Sequence, residues 1–312
     1  MGTYVYLLTT MAFFGSAFAS SKVVVESMPH QVAALLRFGG GAVILALFLI
    51  ISQLRSRGEP LTRQQVLRAA GIGLIGVFMY NVLFFWGLSL APSADGSVIV
   101  PVLSPVFTTI VLIGFRQERP SARRLIGLST GLAGAVIFFI GASDGGGGSR
   151  RLEGDVIYLL GAVAWALYSI ASKNVLKGID PLRATTYGTT AGAVGLLLFA
   201  TPALPSVHWV TVPTTTWLNV AYLAVGPTAI AYLFYFRGLR NVSPSTATMV
   251  MFTVPIFGVA CSVAFLGESF TTPQFVGGVI MLSGALLAVT NARKKRLPEE
   301  SAAPDRIASE IS

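Results

Sequence analysis

The sequence predicts an all-α integral membrane protein, with ten transmembrane helices arranged as two inverted five-helix repeats around a central cavity. Three observations carry this expectation. The 312 residues are 54% hydrophobic and only 11% charged, with a mean hydropathy of +0.72, whereas a soluble domain carries about 25% charged residues. Apolar runs long enough to cross a bilayer recur ten times along the chain, and the second five repeat the first. With 22 basic and 13 acidic side chains, the chain cannot coat a soluble surface of its own size. Most of it is therefore solvated by lipid. A soluble enzyme, a disordered protein and a nucleic-acid binder are excluded.

A helix needs about 20 mostly apolar residues to cross the hydrocarbon core. The runs that qualify are Tyr4–Val25, His30–Ser52, Arg68–Leu90, Ala94–Phe115, Leu125–Gly141, Asp155–Leu176, Leu182–Ala203, Thr216–Leu239, Ser245–Leu266 and Gln274–Asn291. The gaps between them hold turn chemistry: Arg57-Gly58-Glu59-Pro60, Ala91-Pro92-Ser93, Ser243-Pro244 and Thr272-Pro273. Ala17-Phe18-Ala19 resembles a signal-peptidase site, but residues 1–21 hold no Lys or Arg to serve as an n-region, so the first run reads as a retained span. The polar tail after Arg296 is expected to be disordered.

Orientation follows from Lys and Arg in the short loops. With a cytoplasmic N-terminus, 18 of the 22 fall inside, among them Arg55, Arg57, Arg123, Arg124, Lys173, Arg183, Arg237, Arg240 and the cluster Arg293–Arg296. Lys22, Arg150 and Arg151 fall outside, and Arg37 lies within a span. Both termini are thus expected in the cytoplasm, in a multi-pass protein of the plasma (inner) membrane.

The repeat is legible residue by residue. Phe14-Gly15-Ser16-Ala17-Phe18-Ala19-Ser20-Ser21-Lys22 is echoed by Trp165-Ala166-Leu167-Tyr168-Ser169-Ile170-Ala171-Ser172-Lys173 at an offset of 151. Pro105 and Pro255, Glu118 and Glu268, Gly127 and Gly277, and Gly134 and Gly284 pair at 150. The expected division is a first repeat over 4–142, a glycine-rich linker over 143–153, a second repeat over 154–292 and a cytoplasmic tail over 293–312. Five is an odd number, so the second copy must enter the membrane upside down. Inverted repeats of this kind are a transporter architecture, with the substrate near the midplane between the halves.

The tandem five-span copies resemble the EamA-type members of the drug/metabolite transporter superfamily. The residues that carry the resemblance are Phe14 to Lys22 and Trp165 to Lys173, Arg37 in the second span, Pro105 and Pro255 followed by Glu118 and Glu268, and a glycine-rich last span. It covers residues 4 to 292. It implies a ten-helix bundle around a central cavity and export of metabolites, often amino acids. The second copy departs from the first at Arg37, whose counterpart region is Tyr187-Gly188.

Gly71-Ile72-Gly73-Leu74-Ile75-Gly76 is a literal GxGxxG, but it lies in an apolar run without the strand a dinucleotide site requires. Small residues that let membrane helices approach closely explain it better. Arg37 sits inside its span, where a cation costs about 2.5–3.5 kcal/mol on insertion scales. Either it has a functional role, or it snorkels or caps opened carbonyls. Lys22 and Lys173, near span ends, read as interfacial anchors. Aromatics, amides and hydroxyls recur at one depth: Phe14, Ser16, Tyr80, Asn81, Phe84, Ser97, Trp165, Tyr168, Ser169, Tyr232 and Thr248, with Arg37 among them. They are the expected substrate-binding set for an amphiphilic small molecule. Pro101, Pro105, Pro227 and Pro255 are the expected helix breakers, and Glu118 and Glu268 the expected gating or end-capping carboxylates.

No carboxylate is expected at a span centre, so a cationic-drug antiporter lacks its proton-binding group. No GxxxxGK[ST] motif supports ATP drive. With Cys261 alone and only His30 and His208, no metal site and no cofactor are expected. What remains is a facilitator exporting neutral or zwitterionic metabolites, most of all amino acids with apolar or aromatic side chains. Export of a drug, sugar or lipid is the alternative, and a membrane enzyme or channel a remoter one. The expected partners are a small-molecule substrate and the bilayer, with the chain a monomer or weak homodimer.

Overall fold

The computed structural model describes residues 2–55, 61–116, 121–142, 148–175, 178–239 and 250–290. All regular secondary structure among them is helical. Ten rods follow in order. They are α1 (Gly2–Ser27), α2 (His30–Arg55), α3 (Arg63–Leu90), α4 (Ser93–Gly114), α5 (Ala122–Ala142), α6 (Gly148–Val175), α7 (Pro181–Ala200), α8 (Thr214–Leu223 continuing through Ala231–Leu239), α9 (Val254–Leu266) and α10 (Thr272–Thr290). The first eight are long and apolar enough to cross a bilayer, while α9 and α10 are shorter apolar helices.

Local chemistry sets the ends. α3 opens on a reciprocal cap in which Gln65 N donates to Thr62 Oγ1 (3.3 Å) and Thr62 N to Gln65 Oε1 (2.9 Å). That cap starts the helix at Arg63, five residues before the expected Arg68. Asp180 caps α7 by accepting from Leu182 N and Arg183 N, with Pro181 in the first turn. Gly267, at φ +67, closes α9 in the left-handed region that favours glycine. α6 shifts at its start as well. It begins at Gly148, so Arg151 and Asp155 lie on helix instead of in a linker and at a span start.

Two rods contain π-helical stretches, Leu74–Met79 in α3 and Ala224–Ile230 in α8. Pro227 lies in the second, where the missing N–H fits a loosened ladder. Pro101 and Pro105 sit inside the continuous α4, and Pro255 in the first turn of α9.

Lipid tails are as apolar as the helices, so close packing through small residues holds such a bundle together. α5 and α10 pack most extensively and run antiparallel. A β-carbon at Gly134 would stand 2.8 Å from the Gly277 carbonyl oxygen, and one at Gly284 would stand 2.7 Å from that of Gly127. Within the GxGxxG run, Gly73 abuts the Gly188 backbone and Gly76 the Tyr168 ring. Besides this pair, α1 packs on α9 and α8, α6 on α4 and α3, α2 on α7 and α8, and α3 on α7. Leu54, Leu198 and Phe265 point outward, at 72–82% exposure, as side chains facing lipid do.

Candidate functional site

A central cavity of about 460 Å³, its mouth included, is walled by α1, α2, α3, α4, α6, α8 and α9. Of the residues expected at a binding site, Phe14, Arg37, Tyr80, Phe84, Trp165 and Tyr232 line it, with Pro101. Ala17, Phe18, Val100, Met251 and Val254 complete the wall. The rings brace one another. Tyr80 and Trp165 lie 4.9 Å apart, Phe14 and Tyr232 5.5 Å, and Phe14 meets Trp165 edge-on at 6.1 Å. Such contacts fix ring orientation as well as adding dispersion. The buried Trp165 Nε1 has no hydrogen-bond partner among the described residues.

Arg37 is the charged residue of this wall. It is 5% exposed, so it does not snorkel to an interface. Its Nε donates to Thr228 Oγ1 at 3.3 Å and its Nη1 reaches Ser21 Oγ at 3.5 Å. The guanidinium carbon lies 4.8 Å from the Phe38 ring centroid, 5.6 Å from Phe84 and 5.9 Å from Phe85. Among the described residues no carboxylate pairs with it.

Other expected site residues lie off this cavity wall. Asn81 is fully buried, with its Nδ2 on Val77 O (2.8 Å), the backbone of the π-helical stretch. Ser97 bonds Ala94 O and packs where Gly258 leaves room. Ser16 bonds Tyr222 Oη at 2.6 Å, and Ser169 bonds Trp165 O. Tyr168 lines a second, smaller cavity with Thr185 and Thr189, and Tyr232 lines both. Pro105, with Thr109 Oγ1 on its carbonyl, is buried in α4 outside the cavity wall. Thr248, Glu118 and the tail lie outside the described residues, as does the side chain of Lys173.

The end of the bundle where α4, α6 and α10 begin is latched by polar contacts. Glu268 accepts from Ser93 N (2.9 Å), Ala94 N (2.7 Å) and Ser93 Oγ (3.0 Å), capping α4 from the segment after α9. Ser93 Oγ and Ser262 Oγ bond at 2.8 Å. Lys22 Nζ donates to the last carbonyls of α3, Leu88 O (2.8 Å) and Ala91 O (3.0 Å), a capping role beyond interfacial anchoring. Beside them Arg151 grips Asp95 through two parallel bonds, Nε to Oδ2 at 2.7 Å and Nη2 to Oδ1 at 2.9 Å, and Gln274 Nε2 adds a third at 3.0 Å. Sequence reasoning missed Arg151, Asp155 and Gln274. The spacing of Arg151 and Asp155, one helical turn apart, was the available signal.

Comparison with known proteins agrees with this architecture. A solved crystal structure superposes with a TM-score of 0.64 at 21% identity, over 94% of this chain and 99% of that one, so the two share a fold. The uncharacterized transporter YyaM of Bacillus subtilis (strain 168) is 26% identical over 97% of this chain and 99% of its own length. A probable terminal-alkyne amino-acid exporter of Streptantibioticus cattleyicolor is 26% identical over 96% and 97%. The uncharacterized inner membrane transporter YedA of Escherichia coli (strain K12) is 26% identical over 91% and 89%. The EamA-like transporter family model matches residues 1–140 and again residues 152–290. The chain is therefore a multi-pass membrane transporter and belongs to the EamA-like transporter family.

Proposed function

We propose that the protein exports amino acids with apolar or aromatic side chains across the inner (plasma) membrane. One observation carries this reading, the buried Arg37 guanidinium on an otherwise aromatic cavity wall with no acidic partner among the described residues. An unpaired buried ion is costly. The three phenylalanine faces beside it offset part of that cost, at about 0.5–2 kcal/mol for a cation over a ring. A ligand carboxylate supplies the missing anion, and the cavity rings receive its side chain. A cationic drug would meet like charge at Arg37. The relative from Streptantibioticus cattleyicolor, named a probable terminal-alkyne amino-acid exporter, supports an amino-acid substrate.

The halves rock as two inverted repeats about this cavity, with both termini in the cytoplasm and the latched end outside. The antiparallel contact of α5 with α10 supports inversion, because it joins helices that are equivalent in the repeat. So does the exchange of partners: α1 packs on α9 and α8 as α6 packs on α4 and α3. Ligand binding tests the reading. With Trp86, Trp209 and Trp217 replaced by Phe, an aromatic amino acid should alter Trp165 fluorescence and the corresponding decarboxylated amine should not. A response to the amine alone would overturn it.

A further inference from the structure

Asp155 belongs to neither the cavity nor the contacts that close the latched end. It is fully buried, and neither carboxyl oxygen has a hydrogen-bond partner among the described residues. It lies one turn after Arg151 on α6 and faces both Arg151 and Asp95. Asp95, equally buried, receives all three nearby donors, two from Arg151 and one from Gln274. Those three donors favour Asp95 as the member that keeps its charge. Two carboxylates side by side in a low-dielectric site cannot both stay charged when one guanidinium serves both. As an ionised group Asp155 would be a buried acceptor without a donor. Protonated, it becomes a donor, and the acceptor it faces is Asp95.

We propose that Asp155 and Asp95 form a proton-binding site whose occupancy holds the outer end shut. The pair joins α6 of the second half to α4 of the first, beside the Glu268 cap. Among the described residues, the other charged or titratable groups acting on the pair are Lys22 on α1, Tyr158 on α6 and Glu268 after α9, with Glu26 and Arg150 beside Lys22. Lys22 is committed to Leu88 O and Ala91 O, and the Tyr158 hydroxyl to Pro92 O. Separation of α4 from α6 admits water, the Asp155 O–H bond breaks and its proton passes to that water. Closure returns a proton to Asp155 from the same side. The proton enters and leaves by one face, so it sets how readily that face opens and does not drive net flux. The proposal takes from the reading above only the assignment of the latched end to the outside.

The test uses the full chain in proteoliposomes and needs no transport substrate. A single cysteine, Ser262→Cys in a Cys261→Ala background, is labelled by a membrane-impermeant maleimide with the pH of each compartment set separately. Raising the outer pH should increase the labelling rate relative to that of Asp155→Asn, which carries the same thiol and so corrects for its ionisation, by up to about tenfold per unit, the limit for one proton. Asp155→Asn should label more slowly than the unsubstituted protein at high outer pH, with only the pH dependence of the thiol itself. In infrared difference spectra, a protonated-carboxyl band should be present, lost in Asp155→Asn and kept in Glu268→Gln. A response to inner pH alone would keep the proton site and overturn the orientation. Labelling whose pH dependence on both sides matches that of Asp155→Asn, with no such band, would overturn the proposal. Labelling that falls with sodium ion at constant pH, without the band, would replace the proton by a metal cation.

Discussion

If Arg37 holds the ligand carboxylate, the coupling between them is measurable as a cycle. The perturbations are Arg37→Met in the protein and replacement of an aromatic amino acid by its amide in the ligand. A hydrogen bond to a charged group contributes about 1.5–3 kcal/mol net, which is about 12-fold to 140-fold in affinity at 1.4 kcal/mol per decade. The upper part of that range applies here, because the guanidinium is 5% exposed and little water competes for it. Only its Nε and Nη1 have partners among the described residues, at 3.3 and 3.5 Å, so donors remain for a ligand. Isothermal calorimetry on detergent-solubilised protein should show the unmodified chain preferring the acid to the amide by about 40-fold or more. Arg37→Met should bind both weakly and about equally. Arg37→Lys should recover only part of the preference, because an ammonium lacks the planar fork. An acid-to-amide ratio that is the same in all three proteins would refute the assignment, whatever the absolute affinities.

Glu268→Ala leaves the buried Ser93 and Ala94 N–H groups without their acceptor and should destabilise the protein by about 1–3 kcal/mol. A lowered thermal midpoint, largely restored in Glu268→Gln, checks this. Gly134→Val drives a side chain into the Gly277 backbone at a contact of 2.8 Å and should cost about 1–3 kcal/mol or more, read as loss of monodisperse protein on size exclusion. Orientation is tested in a Cys261→Ala background. Gly147→Cys should react with impermeant reagent in intact cells, and Arg57→Cys only after permeabilisation.

Much of the fold was legible because a bilayer imposes a simple rule on length and polarity. The ten apolar runs fall on ten helices among the described residues, eight of them long and apolar enough to cross a bilayer, and some ends moved where local chemistry outweighed hydropathy. The Thr62–Gln65 cap extended α3 by five residues. Helix resumed at Gly148 although the preceding glycines read as a linker, and that boundary hid Arg151 and Asp155. Of the site, Arg37 was visible because an intramembrane cation is rare, and Phe14 and Trp165 because the repeat aligns them. Phe18, Val100, Met251 and Val254 were not visible, since an apolar residue on a cavity wall has no signature distinguishing it from one facing lipid or core. Asn81 lies off the cavity wall, its Nδ2 on the π-helical backbone one turn away and its Oδ1 without a partner among the described residues.

The central claim is that this bundle moves amino acids through the Arg37 cavity without a driving ion. Counterflow in proteoliposomes tests it most directly. Vesicles loaded with an unlabelled aromatic amino acid are diluted into a trace of the labelled compound, with pH equal on both sides and sodium absent. The account predicts transient accumulation of label, abolished in Arg37→Met and unchanged in rate by a protonophore. No accumulation until a proton or sodium gradient is imposed, or accumulation that persists undiminished in Arg37→Met, would contradict it.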